Sequence, residues 1–186
     1  AVGMLCRAMA KPTPELHAAA KRVLGYLYRT KDLGLRYQAN GEPLRGMSDS
    51  DWGVKHSTTG FVFRYNSAAI SWGSKKQQSV ALSSCETEIM AASVAASEGV
   101  HLKGFLEEME LSNGEPVELG VDNTGARDIA YNPEHHQKVK HIQRRHFFVR
   151  ECVENMQLTV PYVNTVDNLA DFFTKPLEGK HYFRMR

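Results

Sequence analysis

Four acidic residues stand where a fold can gather them: Asp49, Glu88, Asp122 and Asp171. Asp49 closes the strand pattern Leu44–Asp49, and Asp122 follows the alternating stretch Val117, Leu119, Val121. The ends of strands in α/β sheets are where functional groups collect. Glu88 falls in the first turns of the longest helical pattern, and Asp171 in the first turn of the last one. Carboxylates brought together are oxygen donors suited to a hard divalent cation. Each position, taken alone, has an ordinary explanation that weighs more. Asp forms turns at strand ends, and an acid in a first helical turn complements the helix dipole. Glu88 differs from its neighbour Glu86. Ser83-Ser84-Cys85-Glu86 has the S-x-x-E spacing of a capping box, which gives Glu86 a job at the helix start. Glu88 points to another face and has no local partner.

The elements that must position these acids are readable in outline. Thr13 caps a helix opened by Pro14, in which Leu16, Ala19, Ala20, Val23, Leu24 and Leu27 recur at helical spacing. Leu35–Gln38 suggests a short strand before a turn at Asn40-Gly41. Phe61, Val62, Phe63 and Tyr65 form a strand, Asn66-Ser67 a hairpin turn and Ala69–Trp72 the return. The long helix runs from Ser83 to about Leu111. A further helix starts at Thr124 and stops before Asn132-Pro133. Val139–Asn155 is helical, Leu158–Val163 a strand, and Asp167–Thr174 a short helix ended by Pro176. The order predicts an α/β fold with an antiparallel start and parallel later strands. The turn near residues 38–43 divides an N-terminal appendage, 1–40, from a main domain, 41–186.

Composition narrows the function classes. The 186 residues are 42% apolar and 24% charged, which excludes a disordered chain and a coiled coil. No apolar run approaches the roughly 20 residues of a membrane span. Cys6, Cys85 and Cys152 are odd in number and far apart, which fits a reducing, intracellular compartment, cytoplasmic or nuclear. The net charge of +2 does not by itself mark a nucleic-acid binder. Locally the balance differs. Lys138, Lys140, Arg144, Arg145 and Arg150 fall in one stretch without an acid, joined by His135, His136, His141 and His146. Such a cluster reads as a phosphate-contacting surface, with Phe147, Phe148 and Val149 as its buried face. A zinc site from these histidines and Cys152 is disfavoured, because His141 and His146 are five apart and do not share a helix face.

Several motifs together resemble one family. They are Ser48-Asp49-Ser50-Asp51-Trp52, Ile70-Ser71-Trp72-Gly73-Ser74-Lys75-Lys76-Gln77, and the run from Val80 to Ala91 containing Cys85-Glu86-Thr87-Glu88. Val121-Asp122-Asn123, Lys140-His141-Ile142 and Asn168-Leu169-Ala170-Asp171-Phe172-Phe173-Thr174-Lys175-Pro176 follow in order. The set is similar to the ribonuclease H domain of copia-type LTR-retrotransposon Pol polyproteins. Residues 1 to about 37 resemble the end of the reverse transcriptase upstream of it, without the polymerase's Tyr-x-Asp-Asp motif. The resemblance implies a ribonuclease H-like fold: a five-stranded mixed sheet, an antiparallel meander then parallel strands, flanked by helices. It implies Asp49, Glu88, Asp122 and Asp171 as catalytic metal ligands. Asp51, on the same strand face by parity, is the runner-up for the first place.

Two Mg²⁺, with Mn²⁺ as a substitute, would support endonucleolytic hydrolysis of the RNA strand of an RNA–DNA hybrid during reverse transcription. Ser84 and Asn123, like Ser83, flank the acids and could meet 2′-hydroxyls. Lys75, Lys76, Lys138, Lys140, Arg144 and Arg145 would meet phosphates. The N-terminal segment would join a reverse-transcriptase domain or another protein. The competing expectation is a co-opted, non-catalytic binding or structural subunit of another assembly.

Overall fold

The computed structural model describes residues 1–52, 56–132 and 143–186, without the side chains of Gln143, Arg144 and His146. Lys138, Lys140, His135, His136, His141 and the predicted helical start at Val139 lie outside the described residues.

The chain divides into two compact units, Ala1–Arg36 and Tyr37–Arg186. The first holds α1 (Val2–Cys6) and α2 (Pro14–Arg29). Thr13 caps α2 as expected, its hydroxyl accepting from Leu16 N, and Pro14 opens the first turn, where its missing N–H costs nothing.

The second unit is built on five strands. These are β1 (Arg45–Asp51), β2 (Thr58–Tyr65), β3 (Ala68–Lys76), β4 (Val117–Gly120) and β5 (Leu158–Thr159), in spatial order β3-β2-β1-β4-β5. β1 and β2 pair antiparallel, as do β2 and β3, whereas β4 runs parallel to both β1 and β5. The mixed sheet expected from the element order is therefore present. Asn66 and Ser67 carry positive φ angles of 50° and 65°, so the β2–β3 hairpin turns where the sequence placed it. The expected strand Leu35–Gln38 does not form. This segment instead ties itself to that hairpin: Tyr37 Oη donates to Ala69 O, and the Asn40 and Gly41 N–H groups donate to Asn66 Oδ1. The last expected strand is also shorter. β5 has two residues, followed by a single bridge between Val121 and Tyr162.

α3 (Ser84–Glu108), α4 (Thr124–Tyr131) and α5 (Gln143–Glu154) follow between the strands. Phe63 is fully buried, with Leu119, Leu158, Val121 and Val160 beside it in the main core. A Cβ on Gly46 would lie 2.3 Å from the Phe63 ring and one on Gly99 3.0 Å away, so the ring fills the space those glycines leave between β1 and α3. In place of one helix from Asp167, a 3₁₀ turn (Thr165–Asp167) precedes α6 (Asp171–Thr174). Asn168 separates the two. Its side-chain Nδ2 donates to Ser48 O and its Oδ1 accepts from Ala170 N, which diverts the chain onto β1. α7 (Gly179–Met185) ends the chain.

α5 departs from expectation on one face. Val149 is buried, but Phe147 is exposed and lies under the Arg150 guanidinium, 5.0 Å from the ring centre. Cys152 is packed in the main core. No helix among the described residues is long and apolar enough to cross a membrane.

Candidate metal centre

Parity and register bring the acids together. Along β1, Gly46 and Ser50 face α3, while Met47, Asp49 and Asp51 face the other way. Asp49 is paired with Gly60 on β2, where a Cβ would sit 2.6 Å from Thr174 Cγ2 and 2.9 Å from Ala170 O. The bare glycine is what lets α6 lie directly against the sheet beside Asp49. On the other side of β1, Met47 stands opposite Gly120. Continuing that parallel register puts Asp122, just beyond β4, level with Asp49.

Glu88 reaches the same place from α3, whose first turn is pinned to the sheet. Ser83 Oγ accepts from Glu86 N, and Glu86 Oε2 accepts from Leu82 N. Glu86 thus works at the helix start as expected, one residue further out than a capping box places it. Ser50 Oγ donates to Thr87 Oγ1, and buried Gln77 donates from Nε2 to Thr59 Oγ1 and Thr87 O. These bonds fix the turn that carries Glu88.

The result is a cluster in which oxygens of Asp49, Glu88 and Asp122 lie within 4.8 Å of one another. Asp49 is 1% exposed, Glu88 7% and Asp171 4%. Glu88 Oε1 accepts from Ser50 N, but Oε2 is buried with no hydrogen-bond partner. Burial first, then the charges of Asp49 and Asp122, push the Glu88 carboxyl up to about 8. Burial likewise raises Asp49, opposed by a hydrogen bond from Thr174 and the charge of Lys175.

Asp171 joins through a cation. Lys175 Nζ lies 2.8 Å from Asp171 Oδ1 and 3.2 Å from Asp49 Oδ1. Thr174 Oγ1 donates to the other Asp49 oxygen. Burial lowers Lys175, but its bond to Asp171 and the Asp49 charge prevail and hold the ammonium above its ordinary range. Sequence reasoning assigns Thr174 and Lys175 no role, although they stand three and four residues after Asp171, at the end of α6 and just past it. Asp51 is outside the cluster of three: its Oδ1 accepts from Thr58 N across the β1–β2 ladder.

A hard divalent cation fits this donor set. The cluster offers carboxylate oxygens only, and one of them, Glu88 Oε2, has no protein partner.

The expected nucleic-acid contacts are placed unequally. Lys75 pairs with Thr59, which pairs with Ser50, so Lys75 stands two strand spacings, about 10 Å, from the residue next to Asp49. Lys76 is one step along, level with Asp51, and both lysines are exposed. Ser84 is exposed at the start of α3. Asn123 caps α4, its Oδ1 accepting from Ala126 N. Arg145 is exposed on α5, and Arg150 pairs with Glu154 at 3.3 Å.

No protein-family model matches the chain. It is 36% identical over 179 residues to the retrovirus-related Pol polyprotein from transposon TNT 1-94 of Nicotiana tabacum, covering 94% of this chain and 13% of that protein. It is 37% identical over 182 residues to the Pol polyprotein from transposon RE2 of Arabidopsis thaliana, covering 95% of this chain and 12% of that one. The chain thus spans about an eighth of the length of these relatives. Among solved structures, the ribonuclease H1 LC11, isolated from compost by a metagenomic approach, superposes with a TM-score of 0.56 at 14% identity, over 71% of this chain and 92% of that one. The architecture is that of the ribonuclease H fold.

Proposed function

Because the chain is homologous to a segment of the retrovirus-related Pol polyproteins of plant transposons and has a ribonuclease H fold, we propose that it hydrolyses the RNA strand of RNA–DNA hybrids during reverse transcription inside the cell. The observation that carries this is the buried cluster of Asp49, Glu88 and Asp122, with Glu88 Oε2 left without a partner. Asp49, Glu88, Asp122 and Asp171 would hold two Mg²⁺, or Mn²⁺ in their place. When bound, the ions supply an activated water and charge stabilisation at the leaving oxygen.

The remaining work falls to the protein. Ser50, Thr87 and Gln77 hold α3 so that Glu88 cannot swing away. Asn168 anchors the segment before α6 to Ser48 O, which fixes Asp171. Lys75 and Lys76, about 10 Å across the sheet, are candidates for phosphate contacts, Lys76 on the face that carries Asp49 and Lys75 on the other. Ser84 and Asn123, at the starts of α3 and α4, are candidates for the 2′-hydroxyls that distinguish RNA. Lys138, Lys140, Arg144 and Arg145 would extend the contact to phosphates further along. Residues 1–40 we read as the end of the reverse-transcriptase domain that adjoins this one in a longer polyprotein.

A labelled RNA–DNA hybrid incubated with the chain and Mg²⁺ should lose its RNA strand, and a DNA duplex should survive. Intact RNA, or cutting that persists in excess EDTA, would overturn the proposal.

Gly60 offers an independent check on how α6 is placed. Gly60→Ala forces the backbone of Ala170 and the side chains of Phe173 and Thr174 outward. Overpacking of this kind costs about 1–3 kcal/mol. A shift near 1 Å in catalytic groups can cost on the order of a hundredfold in rate. Urea unfolding and hybrid cleavage on the same preparation should show both losses. Unchanged cleavage would mean that Asp171 and its neighbours need no fixed position.

A further inference from the structure

Lys175 is the one cation drawn into a ring of acids among the described residues. Its ammonium touches both Asp49 and Asp171, at 3.2 and 2.8 Å, and its side chain is two-thirds buried. The other two acids do not share this arrangement. Glu88 and Asp122 have no lysine or arginine pair among the described salt bridges, and Glu88 keeps a bare oxygen. The acidic site is therefore divided. Asp49, Glu88 and Asp122 form a half whose only cation contact is at the shared Asp49. Asp49 and Asp171 form a half that already holds one.

We infer that Lys175 is the resident counter-charge of the Asp49–Asp171 half, and that a divalent ion entering there must displace it. The inference rests on the metal reading of the acids and deepens it.

The geometry supports displacement rather than permanent substitution. Lys175 stands just past α6, in extended backbone at the helix's C-terminal end. Its side chain is long and unbranched and can turn to solvent with no change in the backbone. Thr174 Oγ1 stays on the second Asp49 oxygen and keeps that carboxylate oriented while the first is vacated. A charged side chain on both carboxylates also offsets the burial of Asp171 at 4% exposure. The two halves should then differ in affinity. An ion at Asp49, Glu88 and Asp122 meets three acids and shares only Asp49 with the ammonium. An ion between Asp49 and Asp171 pays for the ammonium it removes.

Calorimetric titration of Mn²⁺ into the full chain and into Lys175→Met tests this. Wild type should bind one ion more tightly and a second more weakly. Lys175→Met should strengthen the weaker event by about tenfold or more, the equivalent of one charge-assisted hydrogen bond, and leave the tighter one nearly unchanged. Saturating Mn²⁺ should also raise the melting temperature further in Lys175→Met than in wild type, because the metal-free variant leaves two acids uncompensated. Lys175→Arg, which keeps the charge, serves if the Met variant does not fold without metal; its weaker event should stay close to wild type. Equal Mn²⁺ affinities in wild type and Lys175→Met, with equal melting shifts, would overturn the inference alone. No Mn²⁺ binding in any of the three would overturn the metal reading as well.

Discussion

Replacing Glu88 with Gln is expected to abolish cleavage while stabilising the metal-free protein at neutral and higher pH. The two effects have one origin. An ordinary glutamic acid titrates at 4.5, whereas burial and the charges of Asp49 and Asp122 bring this one to about 8. Between those values the folded protein holds a proton that the unfolded chain has released. Stability of the metal-free protein therefore declines as pH rises from about 4.5 to about 8, and levels off above. Below about 4.5 both states are protonated and the penalty is absent. Asp49, raised for the same reason, adds a decline of the same sign.

Gln cannot ionise, so Glu88→Gln should lack most of this decline. Denaturation midpoints in EDTA should coincide near pH 4.5 and diverge towards pH 8, with the variant the more stable. Activity moves the other way. Loss of one group that holds charge in the transition state costs on the order of a hundred- to a thousandfold, so cleavage by the variant should fall at least that far. Parallel stability curves would show that Glu88 is not electrostatically strained. Near-normal cleavage would remove it from the site. In wild type the same proton must leave before metal can bind, so apparent Mg²⁺ affinity should rise by roughly tenfold per pH unit below about 8.

Asp49→Asn is the second large effect. Asp49 is shared by both halves of the site, through the carboxylate cluster and through Lys175 and Thr174. Asn keeps its volume and can still accept from Thr174, while Lys175 retains Asp171. The fold should therefore survive, and cleavage should drop by about a thousandfold or more. A side effect identifies the cause. The charge of Asp49 is the second contributor to the raised Glu88 titration. Without it the metal-free pH decline should shift to lower pH. Measured by circular dichroism melts across pH, an unshifted decline would mean that burial and Asp122, without Asp49, govern Glu88. Cleavage within tenfold of wild type would move the first ligand elsewhere, with Asp51 the nearest candidate on that strand face.

What could be read from the sequence depended on how local each signal was. The Asn66-Ser67 turn, the Ser83 cap of α3 and the end of β4 before Asp122 are written in a few adjacent residues, and the structure has them there. The residues from Leu35 to Gln38 favour an extended strand, but Tyr37 among them bonds instead to Ala69 at the start of β3, 32 positions away. The single helix expected from Asp167 is broken by Asn168, whose partner Ser48 is 120 residues distant. The role of Gly60 was equally invisible, since nothing near it in sequence mentions α6. Thr174 and Lys175 are a different case. Their spacing from Asp171 was visible, but a lysine beside an acid usually decorates a surface, and only the fold shows Asp49 beneath it.

The latch formed by Asn168 has a consequence in time. Asp49, Glu88 and Asp122 are made before Asn168, Asp171 and Lys175. Contacts spanning 120 or more positions cannot form on a ribosome until the later partner has emerged. Until then Asp49 has neither Thr174 nor Lys175 beside it, and the face of β1 that carries it lacks α6. Asp171, Thr174 and Lys175 are thus the last pieces to reach the site, joining acids that have already been made.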